Sequence, residues 1–446
     1  MPSTPQSSCD AASPVHKTRQ LTHRQIQRPR HSAWANAAIV IALALLFLPA
    51  GSAADASNVT IDSDNVLVID GRKVFPIGFT MPPPQDGKTP DGRDAFEELH
   101  DAGANFLRTG LMGVPWDDAA LEAEQKYHDA AARHGLHCLV NLRELGSIGP
   151  DDAAKEARLR QLVNRFKTHP ALGAWKHVDE PEWGKHPLPP MLRATQIIRE
   201  LDPHHPIEIT QAPRGTIDTL RPYNAACDII AADIYPIGYP PGGHSLLPNK
   251  EMSMVGDYTK TMMAVAGGKM PVWMTLQIAW SGVIKPGKTL RFPTFAEERF
   301  MTYQAIINGA RGLIFFGGHI PKAMTAEDAA LGWNWRFWQR VLRPVIEEIG
   351  EKSPLQPALV APGSKLPVAV AGANDVEFCV REAGRDLFIL ACKREGATVQ
   401  AAFNGLPAWA ARGEVLFEPP RAVEAKDGKF TDWFGPFEVH VYRFTR

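Results

Sequence analysis

The stretch Gly173–Gly184, GAWKHVDEPEWG, ends a short apolar run on two adjacent carboxylates, Asp179 and Glu180, followed by Pro181. A strand buried on both faces must be apolar along its length, so charge belongs where the strand emerges into a cleft. A carboxyl group held at such a point by burial or by a neighbouring charge stays protonated and can give its proton to a leaving oxygen. Glu180 is the first candidate for such an acid, with Asp179 beside it. The same residue types also build surface turns, which is the non-catalytic reading of the segment.

Other apolar segments end on polar residues too: Arg108, then Asp233 with Tyr235, then Gln277. The two-residue spacing of Asp233 and Tyr235 puts both side chains on one face of an extended chain. His177 is out of phase with this pattern and is expected against the wall of the fold rather than in a cleft. Trp183, Trp280, Trp333 and Trp335 fall in predicted loops and are candidates for platforms on which sugar rings stack, although buried packing is the usual fate of an indole.

Such residues converge only if their strands lie side by side. Eight strand-length runs are read at Val74–Phe79, Asn105–Arg108, His137–Leu142, Gly173–Glu180, Ile207–Gln211, Ile229–Tyr235, Val272–Gln277 and Gly312–Phe316. Amphipathic helical stretches separate them, near Asp91–Ala102, Asp117–His134, Asp151–Thr168, Pro189–Leu201, Thr216–Pro222, Glu251–Ala266 and Thr294–Asn308, and an eighth at Trp335–Gly350 follows the last strand. Gly103, Gly135 and Gly309 stand where helices should stop, and Thr294 with Glu297 spells a helix capping box. Eight β-α units fit a closed (β/α)8 barrel, whose C-terminal rim is where chemistry sits. From Pro357 onward short strands such as Val376–Arg381, Leu387–Cys392 and Glu438–Phe444 alternate with turns and read as a small antiparallel β-sandwich. The expected organisation is a leader over 1–54, a barrel over 55–354 and a sandwich over 355–446.

This set of strand ends resembles the clan A glycoside hydrolases, the barrel enzymes of the cellulase and β-galactosidase type. Arg108, Glu180, Pro181 and Tyr235 match the Arg on strand two, the Glu-Pro that ends strand four and the Tyr on strand six. The stretches Thr294–Arg299 and Asn308–Leu313, and the tail Phe430–Tyr442, look like bacterial family 42-like relatives. The resemblance implies a carbohydrate substrate, no cofactor, and Glu180 as acid/base.

Two positions depart from it. Asp179 stands where those enzymes carry Asn, and Gln277 where they carry the nucleophilic Glu; an amide cannot form a glycosyl-enzyme ester. Three readings stay open. Asp233 or Asp179 supplies the base or nucleophile, with carboxyl groups about 5–5.5 Å apart implying retention and about 6.5–9.5 Å inversion. Alternatively the Asp179-Glu180 pair works with a 2-acetamido group of the substrate itself, Asp179 holding the amide and Glu180 protonating the leaving group. In the third, the barrel has lost hydrolysis and binds glycans, with Arg108, Tyr235, Gln277 and the four indoles as contacts.

Composition excludes other classes. The 446 residues carry 48 Lys plus Arg against 49 Asp plus Glu, and no basic cluster lies outside the N-terminus, so nucleic acid has no electrostatic footprint. No His-x-His or Cys-x-x-Cys gives metal-ligand spacing, and Gly317-Gly318 is a weak phosphate signal. A basic lead with Lys17, Arg19, Arg24, Arg28 and Arg30 precedes the apolar run Ala37–Ala50 and the small residues Gly51–Ala54, which reads as a signal peptide: too short to span a bilayer comfortably, cleaved near Asp55, and leaving a secreted or periplasmic protein with no stable membrane insertion. In that compartment Cys379 and Cys392, flanking the turn Glu382–Asp386, either pair across two strands or remain buried thiols.

Overall fold

Strand pairing follows chain order around a full circle. Ile77–Thr80, Phe106–Thr109, His137–Asn141, Leu172–Lys176, Ile207–Gln211, Ile229–Asp233, Val272–Gln277 and Gly312–Phe316 are parallel and closed, the eighth meeting the first at Leu313 opposite Ile77. The computed structural model describes residues 56–110, 112–237, 245–279 and 291–446. The leader expected over 1–54 and Trp280 lie outside these.

Side-chain alternation sorts the barrel into two environments. Leu107, Cys138, Val140, Trp175, Ile207, Ile209, Ile230, Met274 and Leu276 face the surrounding helices in one large core. Their neighbours one residue away, Phe106, Leu139, Ala174, Ile229, Ala231, Trp273 and Ile314, fill the interior. Continuing that inner parity toward the C-terminal ends gives Thr80, Arg108, Asn141, Lys176, Glu208, Thr210, Asp233, Thr275 and Gln277, all buried, so the interior turns polar toward its upper rim.

The lower end is closed by an element that the sequence reading missed. Val59–Ile61, Leu67–Ile69 and Arg72–Val74 form a three-stranded antiparallel sheet, and Val59, Leu67, Ile69 and Val74 join the interior cluster. Val74 therefore belongs to this plug rather than to the first barrel strand, which starts after Pro76. Plugging the end removes apolar interior surface from water, each fully buried Leu or Ile contributing about 1.5–3 kcal/mol.

Helices occupy the expected places. Gly103 closes Ala95–Ala102 in a left-handed turn at φ 108°, and Thr294 and Glu297 form the reciprocal capping box of Phe295–Ile307. The last helix differs from its expected single run. A π turn over Trp338–Leu342 interrupts it, just ahead of Pro344, whose missing N–H and bulky ring disrupt a regular ladder.

The C-terminal strands form two antiparallel sheets, one of Ala369–Ala371, Val399–Asn404 and Lys429–Phe434, the other of Val376–Ala383, Asp386–Lys393, Val439–Thr445, Arg412–Leu416 and Ala422–Glu424. Their facing surfaces enclose Leu387, Ile389, Phe403, Phe430, Phe434, Tyr442 and Phe444. Arg299 ties this sandwich to the barrel, donating to the carbonyl of Val439 at 2.8 Å while its Nε pairs with Glu348 at 2.8 Å. Cys379 and Cys392 are free thiols; Cys392 stands opposite Glu377 and Cys379 opposite Leu390, so their register is offset by two residues. Among the described residues no helix is long and apolar enough to cross a membrane.

Candidate active site at the barrel rim

The fourth strand ends at Lys176, earlier than its sequence suggests, and the chain then bulges. His177 N–H still reaches Glu208 O at 2.8 Å, but the next bond to the fifth strand comes from Glu180 N–H to Thr210 O at 2.8 Å, three residues on where a regular parallel ladder needs two. The extra residue is accommodated by Glu180 at φ +47°, a left-handed backbone that costs a non-glycine residue about 1 kcal/mol or more. Such strain persists only where surroundings fix it. Tyr223 hydroxyl donates to the carbonyl of His186 at 3.0 Å, and Glu182 N–H to Gln211 Oε1 at 3.3 Å, pinning both sides of the turn.

Asp179 and Glu180 are consequently held in different fields. Lys176, 1% exposed in the barrel interior, places Nζ 2.8 Å from Asp179 Oδ1 and 3.7 Å from Glu208 Oε2, and Arg108 Nη1 lies 4.0 Å from Asp179 Oδ2. Desolvation at the crowded barrel end would raise the Asp179 carboxyl, whose side chain stays 44% exposed, but the Lys176 and Arg108 charges overcome it and hold Asp179 below the usual carboxylate range. Glu180 is pushed the other way, first by burial and then by the negative charge of Asp179. Glu208 is raised by burial, and Thr210 hydroxyl donates to it at 2.6 Å.

Asp233 ends the sixth strand, within electrostatic reach of the Glu180 and Tyr235 side chains. Burial and then the charges of Glu180 and Asp179 push it well above the ordinary carboxyl range. Tyr235 stacks on Phe316 with ring centroids 5.2 Å apart. Arg108, Asp179, Glu180, Asp233 and Tyr235 thus meet at one rim. Beside Asp179 opens a hollow of about 410 Å³ lined by Met112, Asn141, Arg143, Glu144 and His186 among others. Arg214 lies within electrostatic reach of Glu180 and stacks its guanidinium over Trp183 at 4.4 Å.

Several expectations need correction. Gln277 faces inward but is occupied: Oε1 accepts Ile237 N–H at 2.8 Å and Nε2 donates to Ile237 O at 2.7 Å, so its amide clasps the loop after strand six instead of a ligand. Trp333 and Trp335 are 1% and 0% exposed and pack edge to face at 5.0 Å, so no sugar ring can stack on them; the loop that carries them folds back into the core. Trp183 is 52% exposed, with Arg214 over one face of its indole. His177 is buried, bonded to Met191 O at 3.2 Å, and pushed down to about 4 by burial.

Lys176 and Glu208 escaped the sequence reading, although charge at inner parity within GAWKH and PIEIT marks them. His319, after the eighth strand, also escaped; burial and the Arg108 charge push it down to about 4. No metal-ligand spacing was expected, yet Glu124, His128 and Cys138 meet behind the second and third strands with donor atoms within 4.8 Å. Glu124 accepts Thr109 hydroxyl and Gly110 N–H and lies 3.2 Å from His128 Nδ1, while His128 Nε2 is buried without a hydrogen-bond partner.

No protein-family model and no curated protein matches the chain by sequence. Solved structures do match its fold. A protein titled glycoside hydrolase aligns with TM-score 0.60 at 11% identity, covering 87% of this chain and 96% of the other. A glycoside hydrolase family 5 protein from Bacteroides vulgatus aligns with TM-score 0.61 at 13% identity, covering 87% and 92%. An α-amylase from Geobacillus thermoleovorans, solved with acarbose, aligns with TM-score 0.51 at 10% identity, covering 87% and 99%. At these identities the likeness establishes the barrel-and-sandwich architecture.

Proposed function

We propose that the chain is a secreted or periplasmic glycoside hydrolase that cleaves O-glycosidic bonds of a poly- or oligosaccharide, with Glu180 as the proton donor. The observation that carries this reading is the opposite displacement of two adjacent carboxyls, Asp179 held ionised by Lys176 and Arg108 while Glu180 is raised. Environments that push neighbouring acids apart divide them into a charge and a proton donor. The fold shared with proteins titled glycoside hydrolases supports a carbohydrate as substrate, and the exposed indole of Trp183 offers a surface for it.

The seventh strand carries no carboxylate in place of the usual nucleophile. No Asp or Glu occurs between Asp257 and Glu297, so neither that strand nor the loop after it can supply one. This favours a second, narrower reading, in which the substrate's own 2-acetamido group attacks and ionised Asp179 orients it.

A panel of glycans is the test. Reducing sugar should appear from at least one member with wild-type protein and disappear with Glu180→Gln. Cleavage confined to 2-acetamido sugars supports the narrower reading. Binding without release points to a glycan-binding barrel instead.

A further inference from the structure

Away from the rim, and independently of the hydrolase reading, we infer that Glu124, His128 and Cys138 bind one zinc ion, which ties the helix Asp118–Arg133 to the second and third barrel strands. Glu124 and His128 stand four residues apart on that helix and so share one face, and Cys138 meets them from the outward side of the third strand. All three side chains are buried, and one donor atom from each lies within 4.8 Å of the other two. Tetrahedral zinc bonds of about 2.0–2.3 Å set donor atoms about 3.3–3.8 Å apart, so closing on the ion takes shifts of about 1 Å.

His128 supplies the observation that asks for a ligand. Its Nδ1 lies 3.1 Å from the carbonyl of Glu124, which only accepts, so Nδ1 carries the hydrogen and Nε2 the lone pair. Nε2 is buried without a hydrogen-bond partner, in a core where such groups are nearly always paired. Phe166, stacked at 4.4 Å, and His169, edge-on at 5.0 Å, hold the ring plane. His169 cannot serve Nε2, since its own nitrogens face Asp129 Oδ1 and Ala171 N–H, each at 3.2 Å. An imidazole that donates one N–H to a backbone carbonyl is the oriented form in which histidines bind metals. Glu124 is likewise held, by Thr109 hydroxyl and Gly110 N–H of the second strand.

Donor chemistry selects the ion. Thiolate, imidazole and carboxylate together suit zinc, whereas calcium and magnesium take oxygen ligands. Charge balances as well: Cys138 gives its thiol proton to solvent on binding, and the negative charges of Cys138 and Glu124 then offset a divalent cation where an uncompensated charge is costly.

Refolding tests this. Untagged full-length protein is unfolded in denaturant with a chelator and a thiol reductant, then refolded with or without zinc and freed of loose metal by gel filtration. One zinc per chain should remain, and the thermal midpoint should rise by about 3 °C or more over the chelated sample. Cys138→Ala should lose both effects, and Cys392→Ala, which removes a buried thiol of the sandwich, should keep them. If Cys138→Ala does not refold, zinc-edge X-ray absorption of wild type decides, with one sulfur at about 2.3 Å beside nitrogen and oxygen at about 2.0 Å expected. Folded wild type that holds no zinc, a metal shell without sulfur, or equal zinc in Cys138→Ala and wild type overturns the site.

Discussion

Gln277 grips Ile237 with both ends of its amide, accepting at 2.8 Å and donating at 2.7 Å, and so closes the loop after strand six onto the end of strand seven. A carboxylate there can accept but not donate. Gln277→Glu should therefore gain no hydrolysis, despite placing an acid at the end of strand seven. It should lose about 1–3 kcal/mol of stability, because Ile237 O is left facing a carboxylate. Chemical denaturation alongside reducing-sugar release checks both halves; a gain of activity contradicts the clasp.

Lys176 neutralises two acids from inside the barrel, and one of them, Glu208, is as buried as it is. Lys176→Met should cost about 3 kcal/mol, since removing one partner strands a buried charge. Lys176→Met with Glu208→Leu should recover part of that. The single variant should also let the Asp179 carboxyl rise, because burial then acts with one cation fewer against it. Urea melts of the two variants and carboxyl NMR report these effects.

The indoles separate cleanly. Trp333→Ala empties a closed aromatic cluster with Phe79, Trp335 and Trp338 and should cost about 3–5 kcal/mol. Trp183→Ala should leave stability within about 0.5 kcal/mol and weaken glycan binding several-fold. Thermal melts and affinity electrophoresis on the same samples distinguish a core residue from a ligand platform.

Three buried histidines act on the acid side of the stability curve. Burial pushes His137, His177 and His319 each down to about 4, Arg108 adding to the effect at His319. Their unfolded values lie near 6.5, so between about pH 6.5 and 4 the unfolded chain binds protons that the folded one does not. The contribution of these histidines to stability should therefore fall as pH drops through that window, opposed by the raised carboxyls Glu180, Glu208 and Asp233, which hold protons only in the folded chain. Denaturant midpoints at closely spaced pH values measure the slope, and His177→Gln should make it shallower.

The eight barrel strands were legible because inner and outer positions alternate through apolar runs of strand length, and the caps at Gly103 and Thr294 were legible from single residues. The plug Val59–Val74 was not: three-residue strands carry too little periodicity to stand out. The site was legible in part. Arg108, Asp179, Glu180, Asp233 and Tyr235 do meet, because strand ends converge whatever their distance in sequence. Lys176 and Glu208 were hidden within apolar runs, and the bulge that aims Glu180 has no sequence mark beyond Pro181. For Gln277 the residue type drew attention to the ligand side, while the bonds run to backbone.

The most direct test of Glu180 as the acid compares leaving groups, using glycosides of the sugar identified by the panel. Glu180→Gln should lose several orders of magnitude in kcat/KM on an alkyl glycoside, whose leaving oxygen needs a proton. The same variant should lose far less on the 2,4-dinitrophenyl glycoside, which leaves without one. Equal losses on the two substrates, or no loss on the alkyl glycoside, would contradict the account.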